Sequence, residues 1–171
     1  MEQDRSSVIV VGVDDSDASV AALVFGMREA VRRQSAVEAV TAWYFDNPFH
    51  LEGGEELAEK FEDRARAAQD RVVARAREQV DTAPPVSQTV ILGEPPAKVL
   101  LRAAEGAAFL VVGHTQRRPL VLDRLLGSTS RACLRHATVP VVVVPWLQKH
   151  TVETPAAESL DSVDAEVDTT P

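Results

Sequence analysis

Three observations predict an α/β fold, a parallel sheet with helices on both faces. Short β-branched runs alternate with segments whose apolar residues recur at helical spacing. The run AFLVVG, residues 108–113, is apolar at consecutive positions, as suits a central parallel strand covered on both sides. The chain has 171 residues and is 45% hydrophobic but only 5% aromatic, so its core must be mostly Val, Leu and Ala.

Val8 to Val13 reads as the first buried strand and ends at Asp14. Asp14-Asp15-Ser16 favours a turn and helix start, because these side chains accept hydrogen bonds from free backbone N–H groups. A helix is expected over Asp17 to Arg33, with Val20, Leu23, Val24, Met27 and Val31 on its buried face. Val37 to Tyr44 is the second strand, followed by a loop with Asn47-Pro48 and Gly53-Gly54. A long charged helix follows over about Glu55 to Val80. Its narrow apolar stripe is Leu57, Phe61, Ala65, Ala68, Val72, Ala76 and Val80, and its other positions read as a solvated face.

Thr82-Ala-Pro-Pro breaks that helix, and Val86 to Leu92 forms the third strand. Gly93-Glu-Pro-Pro leads into a helix over about Pro96 to Glu105, with proline at its first position. Ala108 to Gly113 is the fourth strand, and a basic loop follows it. A helix is then expected over Ser128 to His136, and a fifth strand over Val139 to Val144, closed by Pro145. In such folds ligands bind beyond the carboxyl ends of the strands, which brings Asp14-Asp15-Ser16 beside Gly113 and its loop.

The charge is uneven. From Trp146 onward there are six acids and one base, Lys149, which accounts for −5 of the net −8. The first 145 residues are only mildly acidic, which argues against a general nucleic-acid surface. Residues 1–146 therefore read as one domain and 147–171 as an acidic, disordered tail, either solubilising or carrying a specific docking motif. Cys133 is the single cysteine, so no intramolecular disulfide can form, in keeping with a reducing cytoplasm. Its setting on a helix suits a small buried hydrophobe. The N-terminus lacks the pattern of a signal peptide, and no apolar run reaches the roughly 18 residues of a membrane span. The expectation is a cytoplasmic protein with no membrane partner.

No enzyme constellation is visible. Gly93-Glu-Pro-Pro-Ala-Lys98 lacks the second glycine of a phosphate-binding Walker loop. His50, His114, His136 and His150 have no metal-ligand spacing, so neither catalytic nor metal residues are assigned. His114 alone falls in the candidate site, either as a contact to phosphate or base or as a polar loop residue with no such task.

The segments VIVVGVDDSDASVAAL, ILGEPPAKVLLRAAEGAAFLVVG and LLGSTSRACLRHATVPVVVV keep their order and spacing over about residues 7–145. Together they resemble the universal stress protein family. The resemblance implies a five-stranded sheet in the order 3-2-1-4-5, of the adenine nucleotide alpha hydrolase-like kind. It also implies a homodimer formed through the last strand. Val139 to Val144 fits that role, since a flat apolar edge strand invites aggregation unless it is covered.

The resemblance further implies an adenine-nucleotide site. Its candidate residues are Gly12, Val13, Asp14 and Ser16 after the first strand, and Ala42 against the adenine. Val112, Gly113, His114, Thr115 and Gln116 belong to the fourth strand and its loop. Gly127, Ser128, Thr129 and Ser130 form the phosphate-holding turn. ATP-binding members share a glycine, two residues, a second glycine, nine residues, then glycine followed by Ser or Thr. Here Gly113 and Gly127-Ser128 match the ends, but Gln116 replaces the second glycine. Ten residues rather than nine separate Gln116 from Gly127, and Arg117, Arg118 and Pro119 occupy the loop. Proline removes a donor, and a side chain at the glycine position keeps the backbone from the phosphates.

Two functional readings follow. The first is a stress-survival homodimer that acts through protein partners and carries a degenerate nucleotide site. The second is a stress sensor that binds ATP or another adenine nucleotide through Asp14, Gly113 and Gly127-Ser128-Thr129-Ser130. Slow ATP hydrolysis is conceivable only under the second.

Overall fold

The computed structural model describes residues 5–43, 54–116 and 127–147. A short 3₁₀ turn, Arg5–Ser7, leads into β1 (Val8–Gly12) and α1 (Asp17–Arg33). Then come β2 (Ala36–Trp43), α2 (Gly54–Arg77), β3 (Val86–Leu92), α3 (Pro96–Ala103), β4 (Phe109–Gln116), α4 (Ser128–His136) and β5 (Val141–Leu147). The five strands form one all-parallel sheet in the order β3-β2-β1-β4-β5. This is the order that the family resemblance implies.

The sheet is covered on both faces. Ile9 and Val11 of β1 join Leu23, Met27, Val37, Ala39, Val72 and Val111 in one core, beneath α1 and α2. Val8 and Val10 point the other way, with Val40, Val99, Leu100, Leu110, Val112 and Cys133 beneath α3 and α4. Successive strand residues face opposite sides, so a strand covered twice must be apolar at every position. Cys133 is fully buried, and burial pushes its thiol above the usual range. It packs as the small hydrophobe that the sequence suggests.

α1 starts at Ser16, whose side chain accepts from the Ser19 N–H, and ends at Gln34 in the left-handed conformation. Its buried line runs through Ser19, Leu23, Gly26, Met27 and Ala30. Val31 was expected on that face but is 40% exposed, because at 100° per residue it lies at the margin of the line. The close approach of α1 to the sheet depends on Gly26: a Cβ there would stand 2.7 Å from Val11 Cγ2.

α2 also departs from the simple stripe. Ala65, Ala68, Val72 and Ala76 are buried as expected, but so is Gln69. Its Nε2 donates to the Ala39 carbonyl at 3.0 Å and the Thr89 carbonyl at 3.1 Å, pinning α2 across β2 and β3. On the charged face, Arg71 pairs with Asp15 at 2.9 Å and Arg75 with Asp17 at 2.6 Å. Such exposed pairs contribute about 0–1 kcal/mol each, so they orient the helix start more than they stabilise it.

Two strands differ from their expected limits. β4 continues past Gly113 through Gln116, where a loop was expected. β5 runs over Val141–Leu147, not Val139–Val144, and passes through Pro145. The reason is shared: His114, Thr115 and Gln116 pair with Pro145, Trp146 and Leu147, so each strand extends the other. Proline is tolerated there because β5 is an edge strand, where a missing N–H need not break a ladder. The end of α2 at Arg77 and of α3 at Ala103 shortens both expected helices by two or three residues, within ordinary fraying. The Tyr44 end of the second strand, the Asn47-Pro48 loop, residues 117–126 and the tail from residue 148 lie outside the described residues.

Two predictions follow from this packing. Leu23 is fully buried, so Leu23→Ala should cost about 2–5 kcal/mol, read as a clear fall in the thermal midpoint. A cost under about 1 kcal/mol would remove Leu23 from the core. Glu94, just before α3, receives Arg102 at 2.8 Å and Lys98 at 3.0 Å. The Arg102 guanidinium first, then the Lys98 ammonium, hold its carboxyl down from 4.5 to about 2. A depressed carboxylate stabilises the fold above its unfolded value, and that contribution fades as pH falls from 4.5 towards 2. A carbon-13 NMR titration should place the Glu94 midpoint near 2, and Arg102→Ala should raise it; a midpoint at 4.5 in the parent protein would refute the ion pair.

Candidate functional site

The carboxyl ends of β1, β2 and β4 open on a cavity of about 470 Å³. Its floor and walls come from five segments far apart in the chain. β1 and the turn after it supply Gly12, Val13, Asp14 and Ser16, and the first turn of α1 supplies Ala18 and Ser19. Val40 and Ala42 come from β2, Pro96 and Leu100 from α3, and Val112, Gly113 and His114 from β4. Gly127, Ser128, Thr129 and Ser130 close it from the start of α4.

Asp14 is held in a tight cluster at the α1 N-terminus. Its Oδ1 accepts from the Ser16 N–H at 3.1 Å, the Ser16 hydroxyl at 2.5 Å and the Ser19 hydroxyl at 2.6 Å. The Asp14 N–H donates back to Ser19 Oγ at 2.9 Å. These bonds all use Oδ1, so Oδ2 remains available as an acceptor for a ligand hydroxyl or amino group. The same cluster also caps α1, so Asp14 and Ser16 serve the fold and the cavity at once.

β4 meets α1 at Gly113. A Cβ at this position would overlap the Ala18 carbonyl, so only glycine lets the strand end lie against the first turn of α1. On the other side, the Ser130 hydroxyl lies 3.5 Å from the Gly113 carbonyl. His114 Nε2 is buried and has no hydrogen-bond partner among the described residues. A buried polar nitrogen without a partner is costly, about 1–3 kcal/mol, and a ligand acceptor or donor beside it would recover part of that.

α4 begins at Gly127, which makes no side-chain cap. The first N–H groups of a helix have no intrahelical partner. With no cap, they and the hydroxyls of Ser128 and Thr129 can receive an anion. The helix dipole favours an anion by about 0.3–1 kcal/mol, and each hydrogen bond to a charged group adds about 1.5–3 kcal/mol. The same cavity is lined by Val40, Ala42, Leu100 and Val112, apolar surface suited to a flat ring system. Among the described residues no group of three or more His, Cys, Asp or Glu could hold a metal ion.

Twelve of the fourteen candidate residues therefore line one cavity. The other two, Thr115 and Gln116, continue β4 beyond His114, and their side chains lie outside the described part of the protein. The sequence reading missed Ala18, Ser19, Val40, Pro96 and Leu100. Val40 could have been found, since it lies two residues before Ala42 on the same strand face. Ser19 also carried a signal, a hydroxyl three residues after the cap. Pro96 and Leu100 enter only because α3 packs over β1 and β2.

No helix among the described residues is long and apolar enough to cross a membrane. The chain is similar to a universal stress protein of Mycobacterium tuberculosis, 34% identical over 135 residues, which are 79% of this chain and 44% of that protein. It thus spans less than half the length of the curated relatives it matches. A universal stress protein solved in complex with cAMP superposes with a TM-score of 0.58 at 23% identity, covering 81% of this chain and 95% of that one. One from Archaeoglobus fulgidus in complex with dAMP superposes at 0.56 and 22% identity, covering 82% and 98%. The model of the universal stress protein family matches residues 6–145, so the two-faced parallel sheet and its cavity are those of a member of that family.

Proposed function

We propose that this protein binds an adenine nucleotide in the β1–β4 cavity and works as a homodimeric stress-survival protein through protein partners. One observation carries the reading: a single cavity joins the Asp14 carboxylate, apolar surface and the uncapped α4 N-terminus. Those are the features a nucleoside phosphate requires: an acceptor for sugar or base hydroxyl and amino groups, a slot for the base, and donors for phosphate. Two proteins of the same fold, described above, hold cAMP and dAMP, which supports an adenine nucleotide over other anions. The role is binding, not turnover.

The departure at Gln116 and the arginine-proline loop bears on the phosphate end alone. Asp14, Ala42 and Val112 lie on other segments, whereas the α4 turn directly follows that loop in the chain. The cavity therefore favours a nucleotide held by its base, sugar and first phosphate. A site closed altogether, with function through partners only, is the reading that the missing glycines favour.

Thermal unfolding with and without AMP, cyclic AMP and Mg-ATP separates the two. A ligand at about 100 times its dissociation constant stabilises by about 2.7 kcal/mol. For a chain of this length that is a midpoint rise of roughly 5–10 °C. Gly127→Val should abolish the rise and leave the fold intact, since a Cβ at Gly127 meets nothing within 4 Å. Absence of any rise at several millimolar of all three ligands would establish the closed site.

The homodimer is proposed through β5. It lies at the sheet edge, and Trp146 on it is 38% exposed. An uncovered apolar edge is a hazard that pairing with a second copy removes. Trp146→Glu should shift sedimentation from dimer to monomer; an unchanged dimer would move the interface elsewhere.

A further inference from the structure

α4 presents a second face, away from both the cavity and the core. Ser130 and Cys133 are buried, while Arg131, Leu134 and Arg135 are exposed. Positions three and four apart share a helix face, so Arg131 and Arg135 lie together and Leu134, three residues from Arg131, lies beside them. It is 47% exposed, the most exposed of the large hydrophobic residues described. An apolar side chain next to a pair of arginines fits a segment that alternates acids with aliphatic residues.

The chain contains such a segment. Glu158 to Asp168, ESLDSVDAEVD, carries five acids and no base. Leu160, Val163 and Val167 fall at the i, i+3, i+7 spacing of one helix face, flanked by Asp161, Asp164 and Asp168. We propose that this acidic segment of the tail docks on the Arg131–Leu134–Arg135 face of α4 in the same chain.

The path is short enough. β5 ends at Leu147 beside β4, and α4 packs over both of these strands. α4 joins the start of β5 through four residues, so Leu134 and Arg135 lie near Val141, about 20 Å from Leu147 along the strand. Ten residues, 148–157, connect β5 to the segment, with a root-mean-square reach of roughly 16–19 Å if flexible. A linker whose typical reach is comparable to the span gives an effective concentration of up to about millimolar, so even a weak contact is populated. The proposal is independent of any nucleotide in the cavity.

Nitrogen-15 NMR of the full chain tests it. Amide shifts of residues 158–168 should differ from those of a synthetic peptide of residues 147–171. Arg135→Glu should return them to the peptide values, as should 0.5 M sodium chloride. Asp161→Lys with Asp164→Lys should restore the displaced shifts in the Arg135→Glu chain. Peptide-like shifts in the parent protein would overturn the proposal. A zero-length carbodiimide cross-link in an Arg135→Lys chain then tests the geometry. The new amine should join an acid of residues 158–168, within one copy when light and nitrogen-15-labelled protein are mixed. Cross-links only between copies would overturn docking within one chain.

Discussion

The contact between Gly113 and the first turn of α1 is the constraint on which the rest of the site depends. The Ala18 carbonyl occupies the place where a Cβ would stand. The end of β4 is therefore drawn against the start of α1, with Asp14, Ser16 and Ser19 alongside. The Gly113 carbonyl faces the Ser130 hydroxyl, so the same residue locates the start of α4. Gly26 has the matching role further along α1, where Val11 takes the space of its absent side chain. Two close approaches thus set the height of α1 above the sheet.

Around this contact the protein separates its apolar and polar tasks. The two cores are almost wholly aliphatic, and their many small contacts give stability without direction. Direction comes from a few polar groups. Gln69 crosses from α2 to the carbonyls of β2 and β3. Asp14 gathers three donors from Ser16 and Ser19 onto one oxygen at the edge of the cavity. Arg5 reaches Glu38 and the carbonyls of Ala103 and Glu105 at the opposite end of the sheet. Gln69 is buried and must be paired, so its two bonds admit few alternative arrangements; Arg5 and Asp14 are exposed and act by direction rather than by need.

α4 joins the two faces of the functional argument. Its N-terminus opens on the cavity, while its exposed side carries Leu134 beside Arg131 and Arg135. Its buried side, with Cys133 and Ser130, holds it on the sheet. A helix of nine residues can separate a buried side from an exposed one because its positions repeat every 3.6 residues, and its N-terminus is free to face the cavity. The family resemblance locates the first duty, whereas the second is visible only in exposure.

The sequence by itself determined the alternation of strands and helices. β3, α1 and α4 have the limits that periodicity and turn residues indicate, because those signals act between near neighbours in the chain. The motif residues around Asp14, Gly113 and Gly127 were located by the family resemblance, together with the rule that ligands bind beyond the strand ends. The tertiary structure alone decided the length of β4 and β5, since each strand is extended by hydrogen bonds to the other. It decided that Gln69 is buried, because its partners are carbonyls twenty and thirty residues away. It also decided that Pro96 and Leu100 wall the cavity. Such outcomes depend on strand order and helix packing, and no local pattern carries information about contacts between distant segments.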